Sequence, residues 1–287
     1  MKTATWISES GYIVYLGDKR NAPFILEKID SDIGALADTV QAVGQDGESV
    51  YDVNLEAQVI NITGSTIARG HYTKAAKAVY DDNIALLRQA FNPKGFGMLY
   101  YNNESGGQRI RCRPVASPTF AQDNEICAKF DIELRAEKSH WESAAEYISR
   151  IGELQKGFRI PFRYPVCFGR YNQISKIYNV TMMDIHPIVE ITTTAQLINI
   201  INETTGEHIE VQHPIRAEEK LIIDCENADV SLYNTTGERL KDVSNWITLD
   251  SDFIALKPGE NILRIENDVP GETPHAIMKW RIPIMGV

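Results

Sequence analysis

The chain has 287 residues, 43% of them hydrophobic and 24% charged, with a formal net charge of −10. That length holds about two domains, each with a core of its own, and the acidic balance argues against a phosphate-gripping groove, which needs clustered Lys and Arg. No apolar run reaches the ~18–20 residues of a membrane span, and the opening MKTATWISESGYIVYLGD lacks the apolar stretch of a secretory leader.

The first elements read as strands. GYIVYLG (11–17) and PFILEKID (23–30) are short apolar runs rich in β-branched and aromatic residues. GQDG follows, with Gly44, Asp46 and Gly47 as turn formers that tolerate positive φ. SVYDVNLEAQVINITG then alternates, with Val53, Leu55, Ala57, Val59 and Asn61 on one side, which predicts one long half-buried strand.

The period changes at TKAAKAVYDDNIALLRQAFNPKG. Ala76, Tyr80, Ile84, Leu87 and Phe91 recur at helical steps, Thr73 is placed to cap, and Asn92-Pro93 with Gly95 ends the helix. The stripe predicts a core-facing helix, with a partner-binding face as the alternative. Strands resume with GMLYYNN, QRIRCRPVASPTF and EICAKFDIELRAE; in the last, the even positions Ile126 to Ala136 are apolar and the odd ones from Lys129 to Arg135 charged. Ser139 is expected to cap a short helix running to about Leu154, before an extended stretch with Pro161 and Pro165. Residues 1–145 are thus expected to form an N-terminal domain, 146–175 a connector and 176–287 a C-terminal domain. In that last part short strands recur between Gly, Asn and Pro turns, the pattern of an antiparallel β-sandwich. The predicted fold class is mainly β with minor α.

Several groups have side chains that could carry chemistry. Arg109, Arg111 and Arg113 share one face of a strand and read as a solvated face or as an ion-pairing seam for an acidic neighbour. Cys112, Cys127, Cys167 and Cys225 form no CxxC pair, and His208 and His213 lack a helically spaced carboxylate, so neither a metal nor a cofactor is expected. The paired carboxylates Asp81-Asp82, Glu218-Glu219 and Asp250/Asp252 read as exposed turns or faces, and no nucleophile elbow, phosphate loop or zinc-helix motif occurs. The expectation is a protein that is not an enzyme. LKPGEN (256–261) reads as a turn, because no helix follows to make a phosphate cradle. Trp246 reads as a core or interface residue, or as a platform for a sugar.

In order and spacing these segments resemble the phage distal tail protein family (Dit), the siphovirus tail components, including relatives in prophages and tail-like particles. The resemblance runs through YLGDKRNAPFILEKID, the GQDG turn, the helix ending in FNPKG, RPVASPTF, the strand closing at Ser139-His140-Trp141, and the Leu256, Gly259, Asn261 corner. It implies a homohexameric ring in the virion tail tip or baseplate, made in the bacterial host cytoplasm. The N-terminal domains would build the ring and the C-terminal domains would be galectin-like sandwiches. The implied partners are the tail tube protein, the tail-tip protein and receptor-binding proteins. DNA would pass the lumen without specific binding, and no membrane is involved. Candidate interface residues are Tyr80, Ile84, Leu87 and Phe91 on the helix and Arg109, Arg111 and Arg113 on the strand. The alternative reading is a carbohydrate-binding module that attaches to the bacterial cell wall.

Overall fold

The computed structural model describes residues 2–18, 23–44, 46–68, 74–104, 106–124, 126–152, 174–192, 194, 196–216, 218–267 and 274–286. The chain divides into two compact units. One is Met1–Ala145 with Pro283–Val287, the other Glu146–Ile282.

The first unit contains β1 (Thr3–Ser8), β2 (Ile13–Leu16), β3 (Phe24–Asp32), β4 (Ala35–Val40), β5 (Ser49–Leu55), β6 (Val59–Ile67), α1 (Lys74–Ala90), β7 (Gly97–Asn103), β8 (Gly106–Pro114), β9 (Thr119–Asn124), β10 (Cys127–Ala136) and β11 (Trp141–Ser143). Its main sheet runs β2-β1-β7-β8-β10-β6-β3 through antiparallel pairs, with β9 on β10 and β11 on β8. The two ends of this path meet at one parallel bridge, Gly17 to Ile25, so the sheet curls around its inner face. Alternation sets that face. Ala4 and Trp6, Val14 and Leu16, Leu99 and Tyr101, Ile110 and Cys112, and Phe130, Ile132 and Leu134 all point inward. Trp6 stacks on Phe91 at 5.0 Å, and its indole N–H donates to the Ala90 carbonyl at 2.8 Å, which ties the end of α1 to β1.

Two expectations for this unit are corrected. The long strand over residues 50–61 is broken at Glu56–Gln58. β5 is exposed along its length, and in β6 the buried side carries Ile60 and Ile62 while Val59 is half-buried and Asn61 exposed. The break lets Gln58 turn inward, where its amide donates to the Ser139 carbonyl at 2.7 Å. No helix starts at Ser139; Trp141–Ser143 is a strand instead, because Trp141 is drawn into the core and Glu142 pairs opposite Arg109. The predicted cap Thr73 lies outside the described residues.

The second unit contains β12 (Tyr147–Ile151), β13 (Ile174–Asn179), β14 (Ile188–Ile191), β15 (Ile198–Asn202), β16 (His208–Val211), β17 (Glu219–Asp224), β18 (Asp229–Asn234), β19 (Arg239–Asp242), β20 (Gly259–Asn267) and β21 (Ala276–Trp280). Two antiparallel sheets, β12-β21-β14-β17-β18-β19 and β13-β20-β15-β16, face each other across one aliphatic core. Val189, Ile191, Leu221, Ile223 and Met278 come from the first sheet, and Ile198, Ile200, Ile209, Leu263 and Ile265 from the second. This is a β-sandwich.

The segment HAIMKWRIPIM divides between the units. Ala276–Trp280 is β21, whereas β22 (Pro283–Ile284) pairs with Trp141 and Glu142 of β11 in the first unit. Residues 283–287 therefore group with the N-terminal unit and not with 176–282 as expected. Of the expected connector, Tyr147–Ile151 is an edge strand of the sandwich, and residues 153–173 lie outside the described residues.

Candidate functional site

The β4–β5 hairpin stands apart from the main sheet as a two-stranded sheet of its own. Gly44 and Gly47 in its connecting turn take φ of +86° and +89°, a backbone setting that favours glycine. Every residue of both strands is exposed. Leu36, Val40, Val50, Tyr51, Val53 and Leu55 therefore lie in water, Tyr51 at 73% of its full exposure. An isolated two-stranded hairpin is marginal in water, and each large apolar side chain left out forgoes roughly 1.5–3 kcal/mol of burial. The hairpin is thus an exposed apolar surface among the described residues. Sequence reasoning missed these side chains by merging β5 with β6. The signal was present in two short apolar runs either side of a Gly-flanked turn.

The three arginines of β8 share its outer face as expected, but their surroundings differ. Arg109 donates from Nε and Nη2 to Glu142 Oε2 at 3.1 and 3.0 Å, and Lys138 Nζ donates to Glu142 Oε1 at 2.6 Å. Burial pulls the Glu142 carboxyl upward, yet the Lys138 and Arg109 bonds and charges outweigh it and hold it below the ordinary glutamate range. Arg109 is thereby a structural strut. Arg111 pairs with Glu137 at 3.6 Å and lies over the Phe96 ring at 4.8 Å; Arg113 lies over the same ring at 5.5 Å. Across the sheet Arg113 is directly opposite Arg135, and Arg111 is opposite Met98, which is opposite Ile7 and then Ile13.

The helix stripe turns inward. Leu87 and Phe91 lie in the main core, and Tyr80 packs with Ala68, Ala76 and Ala128 while half-buried Ile84 rests against them. Tyr80, Leu87 and Phe91 are buried, so as candidate interface residues they are corrected to core residues.

The LKPGEN corner is a polar clamp. Leu256 is buried and exchanges backbone bonds of 2.8 and 3.1 Å with Ile185, and Gly259 takes φ of +97°. The Asn261 amide, fully buried, donates to the carbonyls of Lys257 at 2.7 Å and Gly259 at 3.2 Å, and its oxygen accepts from Lys257 N–H at 3.0 Å and Asn202 Nδ2 at 3.3 Å. The corner joins two loops of the sandwich and leaves its polar atoms no capacity for a ligand. Trp246 has one ring face covered by His213, parallel at 3.6 Å, and packs on the sandwich core, so it offers no open platform for a sugar. His208 faces Asp250 at 3.9 Å. Among the described residues no three His, Cys, Asp or Glu side chains are grouped to hold a metal, and no helix is long and apolar enough to cross a membrane. Cys112 and Cys225 are buried free thiols; burial pushes Cys225 up to about 12, and Cys112 also upward. Cys127 is half-buried, and Cys167 lies outside the described residues.

A curled antiparallel sheet with one helix, an exposed hairpin and a separate β-sandwich define a mainly β protein. Residues 181–281 match the family described as siphovirus-type tail component, C-terminal domain. The whole chain is similar in fold to the SPP1 Dit protein, described as a paradigm of the hub adsorption apparatus in phages infecting Gram-positive bacteria. That likeness has a TM-score of 0.67 at 12% identity and covers 96% of this chain and 98% of that one. Chains of the phage p2 baseplate in its activated conformation match at TM-scores of 0.55 and 0.53, each 11% identical, covering 98% and 97% of this chain and 98% of each of those. No curated protein matches the sequence. The likeness to the distal tail protein family, drawn above from the order of the segments, is thus met again in the family model of the sandwich and in the fold of the whole chain.

Proposed function

We propose that this chain is a structural subunit of a phage tail-tip hub, closing into a hexameric ring that joins the tail tube to the tail-tip and host-recognition proteins. The observation that carries the reading is the β4–β5 hairpin, whose apolar side chains are exposed and covered by nothing among the described residues. Repeated head-to-tail contacts that use a surface of this kind on one copy and a different surface on the next generate a ring when the rotation closes. The six-fold closure, the partners and the place in the virion come from the family likeness. The role is assembly and not catalysis. The net charge of −10 suits a lumen through which DNA passes without adhering; a cationic lumen in the solved ring would sink that part.

Negative-stain electron microscopy with light scattering tests the ring. The expected result is a six-fold annulus with a central hole and a mass near six times 32.3 kDa. A monomer at every concentration would overturn self-closure.

A further inference from the structure

The turn between β1 and β2 and the turn that ends α1 lie side by side and enclose a cleft. In the first, Ser8 N–H donates to the Tyr12 carbonyl at 2.9 Å, Gly11 N–H to the Ser8 carbonyl at 3.0 Å and Tyr12 N–H to Ser8 Oγ at 2.9 Å. In the second, FNPKG, Asn92 accepts Lys94 N–H on its side chain at 3.0 Å and Gly95 N–H on its carbonyl at 3.1 Å. Glu9 N–H donates to the Phe96 carbonyl at 2.9 Å and stitches one turn to the other. Between them is a hollow of about 350 Å³ whose lining includes Glu9, Ser10, Asn92 and Lys94. A second hollow of about 260 Å³, lined by Ile7, Met98 and Arg111, shares Ser8, Glu9 and Phe96 with the first, so the two adjoin.

The lining mixes groups that only accept with groups that only donate. Glu9 and Lys94 are exposed, line the same hollow, and form no ion pair with each other or with any other charged group among the described residues. The apolar part of the lining is Ile7, Phe96 and Met98, each half-buried. An anion is disfavoured by Glu9, and a cation by Lys94 and Arg111. A hydroxyl both donates and accepts. A ligand bearing several hydroxyls finds an acceptor in Glu9 and donors in Lys94, Arg111 and the Asn92 amide, while its C–H faces cover the apolar lining. An extended peptide that adds to a strand edge needs free main-chain donors. Here the N–H groups of Ser8, Glu9, Gly11, Tyr12, Lys94 and Gly95 are all engaged within the two turns.

We propose that this cleft binds a neutral saccharide, with Glu9 accepting from its hydroxyls, Lys94 and Arg111 donating to them, and Ile7, Phe96 and Met98 against its ring carbons. Two adjoining hollows suit two linked sugar rings. Because both turns are closed by their own hydrogen bonds, little backbone has to be ordered when the site fills. The proposal goes beyond the ring reading and is independent of it, since every residue of the cleft belongs to the first unit of a single chain.

The test is saturation-transfer NMR on the full chain, with chitobiose and cellobiose as probes and glucuronate, glucosamine and N-acetyl-triglycine amide as comparisons. The wild-type chain is expected to pass magnetisation to the disaccharides and to discriminate against the comparisons. Glu9→Gln and Lys94→Met should each weaken disaccharide binding by at least about tenfold, since each removes a charged hydrogen-bond partner. Both side chains are exposed, so the two variants should melt where the wild type does, and Lys241→Ala on β19 of the other unit should bind as the wild type does. No transfer to either disaccharide, or equal transfer from the wild type and both variants, would overturn the site. A preference for glucuronate or glucosamine would overturn the neutral class, and a preference for the peptide would overturn the saccharide. A chain that binds the disaccharides through Glu9 and Lys94 but never closes into a ring would overturn the ring reading and leave this one in place.

Discussion

The β4–β5 hairpin and the sandwich of residues 146–282 are made of similar strands and end in opposite conditions. In the sandwich each strand finds a neighbouring strand and an opposing sheet, so Ile200, Ile223 and Leu263 reach zero exposure. In the hairpin Val50 and Val53 have cross-strand neighbours and Tyr51 sits at the bulge between them, but among the described residues no layer packs against any of the three. Alternation of apolar residues therefore does not by itself bury a strand. Burial needs a second layer, and none covers the hairpin among the described residues.

The comparison also holds for charge. Glu142 in the first unit and Glu190 in the second each sit between two cations: Lys138 and Arg109 around one, Lys279 at 2.7 Å and Lys220 at 3.4 Å around the other. Both carboxyls are raised by burial and lowered further by their partners, with a net shift downward. The hairpin acids Asp38 and Asp52, directly opposite each other, have no such partners within the described chain. A folded unit that satisfies its half-buried carboxylates and leaves an exposed pair opposed is complete in one place and unfinished in another.

Substitutions can break this comparison. The largest effect is expected at Trp6→Ala, which empties a fully buried indole site and removes its bond to Ala90. A loss of about 3–5 kcal/mol is expected in the first unit, seen by calorimetry as one lowered transition beside an unmoved one. A common shift of both transitions would mean that the units do not melt separately. Asn261→Ala should do the converse. It strips the buried clamp at the sandwich corner, leaves the Asn202 amide and the Lys257 carbonyl short of a partner, and should cost the second unit about 2–3 kcal/mol.

Glu142→Gln and Glu190→Gln come next, at about 1–2 kcal/mol each. A carboxyl whose folded pKa lies below its unfolded one stabilises fully above the unfolded value, and that contribution is lost as pH falls through the folded one. Wild-type stability should thus decline below about pH 4, and each Gln variant should show a shallower decline in unfolding midpoint against pH. A steeper decline in the variants would reverse the assignment.

The smallest effect on stability, and the sharpest contrast, is expected in the hairpin. Leu36→Ser with Val53→Ser should shift the monomer by less than ~0.5 kcal/mol, because both side chains are already in water. Assembly measured by mass photometry should nevertheless weaken. A destabilised monomer would show that the hairpin is packed within its own chain.

Much of the core was legible because its strands obey a period of two. The even positions of β10, Ala128 to Ala136, are buried as their alternation predicts, and the helix stripe faces inward as its spacing predicts. The errors arose where local pattern and tertiary demand part. Val53 to Asn61 alternates without interruption, yet the chain turns at Glu56–Gln58 because Gln58 is drawn to the Ser139 carbonyl, 81 residues away. Ser139 has the chemistry of a cap, but Trp141 has a core to enter and Glu142 an arginine to meet.

The sequence by itself determined the mainly β character, the single principal helix, the Gly-bearing turns and the alternation that places Arg109, Arg111 and Arg113 on one strand face. These depend on neighbours a few residues apart, whose geometry follows from backbone dihedrals alone. Only the tertiary structure decided which of those arginines is held by Glu142, that Arg113 meets Arg135 and Asp38 meets Asp52, that β22 returns to the first unit, and that the hairpin is left uncovered. Those facts depend on strand register between distant segments, and a shift of one residue in register would have reversed every face.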